Sequence, residues 1–310
     1  MRISRVLLTG VAGLLGQNLS RAFLKKGWKV HGIDDLSVGN KEWLPSKVVL
    51  NRHNVCDNLG DMGYYDLIIH LASRKIPREG NSQAVLTENT KGLQNILQQA
   101  LLYDSKFIYL STSDVYGKND NFSESSDFII GQPDIQRWSY AITKMWCEQL
   151  LYSTPSHFNF NIVRLFGTYG PYQALSWTAG PHSVFISQAL KKEPITIHGH
   201  GQQMRAFQYV DDTVDGIMRL VESDCKREIF NIGNPNEPVS IHFLAQMVWD
   251  MINPDEKIKL EYIPHSAFKY EEIPHRIPDV LKARELLGFE PRVGLVDGLD
   301  ETIKWQKGVV

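Results

Sequence analysis

The sequence predicts an α/β fold: a doubly wound parallel sheet with helices on both faces, followed by a smaller C-terminal lobe. Three observations predict it. Short apolar runs alternate with helical periodicity up to about residue 166. Glycines bunch where the first run meets the first helix, at positions 10, 13 and 16. Beyond 166 the chain turns to stretches rich in Pro, Gly and His. A length of 310 residues suits one large domain with a lobe, or two domains sharing a cleft.

The elements follow in order. Ile3 to Leu8 is short and rich in aliphatic residues, which suits a buried parallel strand. Leu14 to Lys26 carries Leu15, Leu19, Ala22 and Phe23 at helical spacing and stops at Gly27. Lys29 to Ile33 reads as a second strand, Val48 to Asn51 as a third and Asp66 to Leu71 as a fourth. Asn89 to Leu102 puts Leu93, Ile96, Leu97 and Ala100 on one helical face. Lys106 to Ser111 is a fifth strand, Ser139 to Tyr152 a helix and Asn161 to Leu165 a sixth strand. Phe230 to Gly233 reads as a further strand with a turn. The expected division is a Rossmann-type domain over 1–166, with a returning strand inside 207–233. The smaller lobe takes 167–206 and 234–310. No internal repeat or low-complexity tract interrupts this pattern.

Composition narrows the function. Lys plus Arg is 33 against 35 Asp plus Glu, a formal net charge of -2. That balance implies neither nucleic acid nor an anionic membrane as partner. Cys56, Cys147 and Cys225 are widely spaced with no CxxC pair, so neither a disulfide framework nor a metal site is expected. Free thiols suit a reducing, cytoplasmic setting. Met1 to Arg5 followed by Val6 to Gly16 imitates a short signal peptide, but the glycines in register and an acidic residue downstream favour a strand entering a phosphate loop. No later apolar run is long enough to span a bilayer.

Thr9 to Gly16 reads TGVAGLLG, a GxxGxxG pattern at a strand-to-helix junction. Glycines there let the backbone turn tightly and approach a pyrophosphate, while the helix N-terminus offers free amides at Leu14 and Leu15. Asp34, 18 residues past Gly16, ends the second strand. A carboxylate there accepts from adenosine ribose hydroxyls and repels a 2′-phosphate, which favours NAD over NADP. Asp35 is an adjacent alternative.

Ser139 to Lys144 contains Tyr140-x-x-x-Lys144, and residues four apart share a helix face. An ammonium beside a phenol is expected to lower its pKa from about 10 and make Tyr140 a base near neutral pH. Ser111 to Gly117, STSDVYG, lies at the carboxyl end of the fifth strand, the edge where open α/β sheets bind ligands.

Taken together these residues resemble the extended short-chain dehydrogenase/reductases, in the nucleotide-sugar epimerase/dehydratase branch. The resemblance runs through TGVAGLLG at 9–16, HLAS at 70–73, Asn89, STSDVYG at 111–117 and YAITK at 140–144. It continues in RLFGTYGP at 164–171, GHGQQMRAFQYVDD at 199–212, FNIGNP at 230–235 and RIPDVLKARELLGFEP at 276–291. It implies that Tyr140 takes the proton of the sugar C4 hydroxyl while hydride leaves C4 for NAD. Thr112 would be the hydroxyl partner at that oxygen, and Lys144 would hold the nicotinamide ribose. It also implies that Asn54, Val55, Leu71, Ala72, Ser73, Asn89 and Ser111 border the cofactor. Ser113, Gly167, Arg205 and Arg276 would face the substrate, a nucleotide-diphosphate sugar, with the two arginines on its diphosphate. A homodimer built on helices such as the one carrying Tyr140 is implied as well, with Trp146, Leu150 and Leu151 serving either that face or the core.

Three chemistries follow the shared C4 oxidation in that family. The 4,6-dehydratases are similar to STDEVYG; Ser113 stands here in place of the first acid. UDP-glucuronate decarboxylases are similar to STSEVYG with RAFQYV and a closing R-x-P-D, matched here at 205–210 and by Arg276 to Asp279. A C4 epimerase needs only Thr112, Tyr140, Lys144 and room for the keto-sugar to turn over. Net dehydrogenation and a non-catalytic NAD-binding protein are the rival readings. Three positions depart from the family pattern. Asp114 is one methylene shorter than the decarboxylase Glu, Gly167 stands where Asn is usual, and Asn54 where Asp often contacts adenine. His182, His198, His200 and Trp177 fall in stretches expected near the substrate, although a lone His more often serves structure.

Overall fold

A computed structural model describes residues 3–75, 82–264 and 271–310. The first half runs β1 (Arg5–Thr9), α1 (Leu14–Lys25), β2 (Lys29–Asp34), β3 (Val49–Arg52), β4 (Leu67–His70), α2 (Ser82–Tyr103), β5 (Lys106–Thr112), α3 (Arg137–Tyr152) and β6 (Phe160–Leu165). Then come β7 (Thr168–Tyr169), α4 (Pro181–Leu190), β8 (Ile195–His198), β9 (Met204–Arg205), β10 (Gln208–Tyr209), α5 (Val210–Glu222) and β11 (Glu228–Ile232). The chain closes with β12 (Val239–Ser240), α6 (Ile241–Ile252), β13 (Leu260–Ile263), β14 (His275–Arg276), α7 (Leu281–Leu287) and α8 (Leu295–Lys307).

Seven strands form one sheet in the order β3-β2-β1-β4-β5-β6-β11, and every pairing is parallel. Alternation along β1 explains the two-faced core. Val6 and Leu8 join Leu19 and Phe23 of α1 and Ile217 and Leu220 of α5 on one face. Leu7 joins Leu93 and Ile96 of α2 and Leu151 of α3 on the other. Strands buried on both faces need a continuous apolar run, which is what made them legible. The helix expected at 89–102 begins earlier, at Ser82, and Val85 is buried in that added turn.

A second core gathers Tyr169, Phe185, Ile195, Ile197, Phe207, Val210, Leu244, Trp249, Leu299 and Ile303. Small pairings frame it: β8 with β13, β7 with β10, and β9 between β12 and β14. The backbone passes back and forth between the two cores. Phe230 and Ile232 return to the sheet, and so do Val280, Ala283, Leu287 and Phe289, so the stretch 234–310 contributes to both. Because the large sheet is parallel, Thr9, Asp34, His70, Thr112, Leu165 and Ile232 all end at one edge. That edge carries the chemistry-bearing residues.

Candidate active site

The glycine turn is built for close approach. Gly10 has φ +68 and donates its amide to Ile33 O at 2.7 Å. A Cβ there would lie 2.9 Å from the Ala72 nitrogen, so the segment after β4 presses directly on the turn. At Gly16 a Cβ would meet Val11 Cα at 2.4 Å, which is why α1 can start so near β1. Gly13 is the N-cap of α1, with no side-chain cap and no acidic residue in the first turn. The first amide bonded back is that of Gln17, to Gly13 O at 2.9 Å. The amides of Leu14, Leu15 and Gly16 are therefore left for an anion, and this cradle fits a pyrophosphate.

Asp34 completes the fit. Its Oδ2 accepts from Ala12 N at 2.9 Å and its Oδ1 from Leu36 N at 2.8 Å, which fixes the carboxylate beside the turn. Burial pushes its carboxyl above the ordinary value, with the two amides opposing and Asp35 adding to the rise. A carboxylate has about four acceptor sites, so two remain for sugar hydroxyls. Asp35 turns elsewhere: it accepts from Ser37 and from Asn54 Nδ2 at 3.1 Å. Asn54 Oδ1 in turn accepts from Cys56 N at 2.8 Å, and between them Val55 packs on Gly92 of α2.

The segment after β4 is held from both sides. Thr9 Oγ1 accepts from Leu71 N at 3.2 Å and Ala72 N at 3.1 Å, and lies 2.7 Å from His70 Nδ1. Burial keeps His70 neutral, at about 3. Asn89 binds protein with its whole amide. Its Oδ1 accepts from Arg74 N and Ser73 Oγ, and its Nδ2 donates to Arg74 O and Thr143 Oγ1. Its place in the site is thus to tie this segment to α3.

Arg137, Tyr140, Lys144 and Glu148 form a stripe along α3, spaced three or four apart, and all four are buried. Tyr140 is 8% exposed, and its hydroxyl is influenced by the neighbouring Ser73 and Thr112 side chains. Lys144 donates to Leu110 O at 2.7 Å, with its Nζ 4.7 Å from the Tyr109 ring centroid and 5.8 Å from that of Tyr140. Glu148 takes a two-pronged bond from Arg164 of β6, at 3.1 and 2.6 Å, and a third from Ser111 Oγ. This buried pair locks α3 against β5 and β6, and with it the register of the tyrosine and lysine.

The expectation that Lys144 lowers the phenol is corrected by the structure. Burial pushes Tyr140 above its ordinary value and the Asp114 charge adds to this, against the Ser73 and Thr112 side chains. Burial pulls Lys144 itself down to about 8, opposed by Cys147 and Glu148. The lysine's hydrogen bond goes to a carbonyl, not to the phenol.

Of the residues around Asp114, sequence reasoning named Thr112, Arg205 and Arg276 and missed Arg137. The Asp114 Oδ1 lies 2.8 Å from Arg276 and 3.1 Å from Arg137, and its Oδ2 lies 3.4 Å from Thr112 Oγ1. Burial pushes this carboxyl up, but Arg276 and Arg137 outweigh it, with Arg205 behind them, and hold it below the usual range. Arg276, expected on the substrate diphosphate, is instead paired with a carboxylate that lies beside the Thr112 hydroxyl. Arg205 pairs with Glu272. Arg137 also donates to the Glu271 carbonyl, and the Glu271 side chain binds Lys118 and Trp138. The one sequence signal for Arg137 was its place on the stripe, one turn before Tyr140.

The remaining sites fall into place. Ser113 is buried beside Thr112. Gly167 has φ +37, and a Cβ there would lie 2.7 Å from Ala206 O and 3.0 Å from the Phe207 ring. Crowding by the RAFQYV segment explains why no side chain stands at 167. His182 is stacked on Tyr169 at 4.3 Å and edge-on to Phe207 at 4.1 Å, a core position, while His198 packs edge-on to Trp177. His200 is exposed. No cluster of His, Cys, Asp and Glu suited to a metal occurs among the described residues, nor a helix long and apolar enough to cross a membrane.

A glycine cradle with a fixed carboxylate beside it, joined to a buried Tyr-Lys pair at the same sheet edge, suits a dinucleotide-dependent enzyme. Residues 6–233 match the profile of the NAD dependent epimerase/dehydratase family, and the chain belongs to that family, with NAD as its cofactor. Among its relatives, UDP-N-acetyl-alpha-D-glucosaminuronate decarboxylase of Bacillus cytotoxicus is 35% identical over 316 residues, covering 97% of each chain. UDP-glucuronic acid decarboxylase 4 of Arabidopsis thaliana is 34% identical, over 98% of this chain and 68% of that one. Among solved structures, UDP-glucuronic acid 4-epimerase of Bacillus cereus, in complex with UDP-glucuronic acid and NAD, superposes with a TM-score of 0.84. It is 28% identical, over 98% of this chain and 99% of that one.

Proposed function

We propose that this chain acts on a UDP-linked hexuronate, oxidising C4, releasing the C6 carboxylate as carbon dioxide and reducing the C4 ketone again. The observation that carries the reading is the Asp114 carboxylate held by Arg276 and Arg137 beside Thr112. It sets a cationic wall at the sugar end of the cleft, where a C6 carboxylate would stand. The decarboxylase relatives support the same substrate class.

Gly10, Gly13, Leu14, Leu15, Gly16 and Asp34 would hold NAD, with Lys144 at its nicotinamide end. Bound NAD supplies the hydrogen acceptor and donor for C4, and a positive ring charge near the phenol. Tyr140 takes the proton of the C4 hydroxyl, and Thr112 Oγ1 shares that oxygen. A C4 ketone is β to the C6 carboxylate. The electrons of the C5–C6 bond can therefore pass to the ketone oxygen as carbon dioxide leaves. Tyr140 and Thr112 then steady the enolate oxygen, and a proton returns to C5. Arg276 balances the charge at C6.

The test is to incubate purified protein with UDP-glucuronate and UDP-N-acetylglucosaminuronate and follow both by NMR. Carbon dioxide with the matching UDP-pentose supports the reading. A C4 epimer with its carboxylate retained would replace it with the epimerase reading, which the Bacillus cereus neighbour favours. Failure to convert either uronate would sink it. NADH accumulating at 340 nm would point to net oxidation instead.

We also assign the chain to a homodimer, on Ile142 and Trp146 of α3, which are exposed apolar side chains one turn apart. Leu151 is fully buried and Leu150 partly so, and both serve the core. Sedimentation at twice 35.4 kDa is the expected result. The proposed division is 1–166 with the returning strand inside 207–233 for the NAD-binding part, and 167–206 with 234–310 for the lobe, whose 280–289 stretch packs on the sheet; the proposed setting is cytoplasmic.

A further inference from the structure

Two arginines meet one carboxylate beside Thr112, and their surroundings differ. The Arg137 side chain is 2% exposed. Its guanidinium binds Asp114 Oδ1 and the Glu271 carbonyl and lies 5.0 Å over the Trp138 ring. Both of its terminal nitrogens thus bind protein, and one of its faces lies over the indole. The Arg276 side chain is 16% exposed, binds Asp114 with one terminal nitrogen, and its Nε has no hydrogen-bond partner among the described residues. An unspent donor on a guanidinium is costly unless a ligand uses it.

We propose that Arg137 is a positioning residue: it ties Asp114 to the backbone at Glu271, so that Asp114 and Arg276 are set as a pair before the sugar arrives. Arg276 is then the cation that touches the substrate, and Arg137 acts only through Asp114. The proposal rests on the hexuronate reading above.

The geometry explains why such a tie is needed. Asp114 lies in the short turn Ser113–Tyr116 that follows β5, whereas Arg276 belongs to β14, on a segment more than 150 residues further along the chain. That segment is held by β14 pairing with β9, by Glu271 on Lys118 and Trp138, and by Arg205 on Glu272. Arg137, from α3, bonds both the Asp114 turn and this segment. The groups facing Asp114 are Arg137 and Tyr140 from α3, Arg276 from β14, Arg205 from β9, Thr112 from β5, and Lys75 from the segment after β4. Removing Arg137 takes one of two directly bonded cations from the carboxylate, so the Asp114 pKa should rise.

The experiment is a double-mutant cycle on the full chain with NAD, using Arg137→Gln and Asp114→Asn and reading UDP-hexuronate turnover across pH. In the wild-type background, Arg137→Gln should lower kcat by about tenfold or more with KM changed less than about threefold, as for lost alignment. It should also move the acidic limb of kcat/KM upward. In the Asp114→Asn background the same substitution should have little further effect. Arg137→Lys, which keeps one charge, should restore part of the limb's position, and it carries the test if Arg137→Gln does not fold.

An equal loss in both backgrounds with the limb unmoved would overturn the proposal. The carboxyl of Asp114 can also be titrated directly by NMR in aspartate-labelled protein, assigned through Asp114→Asn. A midpoint that rises in Arg137→Gln supports the tie, and one that stays in place overturns it. If wild type converts neither uronate, the functional reading fails, while this titration still decides the role of Arg137.

Discussion

Lys144 gives the site a stability signature that can be measured without substrate. Its ammonium is buried, 2% exposed, and burial brings its pKa from 10.5 down to about 8. Between those two values the unfolded chain holds a proton that the folded chain has released, so stability rises with pH there. Below the lower value the full cost of burying the charge is present. With these two values, the cost is roughly 3 kcal/mol at pH 7 and about 2 kcal/mol at pH 9. Lys144→Met removes that cost but leaves the Leu110 carbonyl without its donor, a loss of about 1–3 kcal/mol. At neutral pH the two effects oppose each other, so the net change there is not diagnostic. The diagnostic is therefore the change with pH: from pH 7 to pH 9 wild type should gain about 1.3 kcal/mol relative to Lys144→Met. Urea unfolding of NAD-free protein at both values measures it. Parallel shifts in the two proteins would refute the claim that the lysine is desolvated in the folded state.

Other expectations follow from particular contacts. Arg164→Met should destabilise by about 3–5 kcal/mol, because it leaves Glu148 charged and buried, and denaturant midpoints would show it. Gly16→Ala pushes a methyl to 2.4 Å from Val11 Cα, so α1 must shift, with about 1–3 kcal/mol lost and NAD affinity reduced by isothermal titration. Gly167→Asn, although Asn is the family's common choice, should lower stability and activity together, since the methylene collides with Ala206 O and Phe207. If the phenol carries the proton transfer proposed above, Tyr140→Phe should cut kcat by about a hundredfold or more while leaving the unfolding midpoint nearly unchanged.

The sheet was readable because strands buried on both faces leave continuous apolar runs, as at Leu67 to Ile69 and Phe107 to Leu110. The glycine turn and the Tyr140-Lys144 pair were readable because their geometry is local, within one turn or one helix. The β7, β9, β10, β12 and β14 strands were not, since two-residue strands carry no period. The same holds for the ties from Arg137 to Glu271 and Arg205 to Glu272, which join residues 134 and 67 apart. The direction of the Tyr140 pKa was missed for a related reason: spacing shows a neighbouring lysine, but not how much water the fold removes.

The passage of the backbone between the two cores limits how sugar preference can change. Segments around 169–210, 241–249 and 295–303 build the second core, while 217–232 and 280–289 return to the sheet. A single crossover with a relative would therefore pair mismatched halves in both interiors at once. Altered selectivity in such a chain has to arise by point changes at the cleft wall, or by swapping several short segments together.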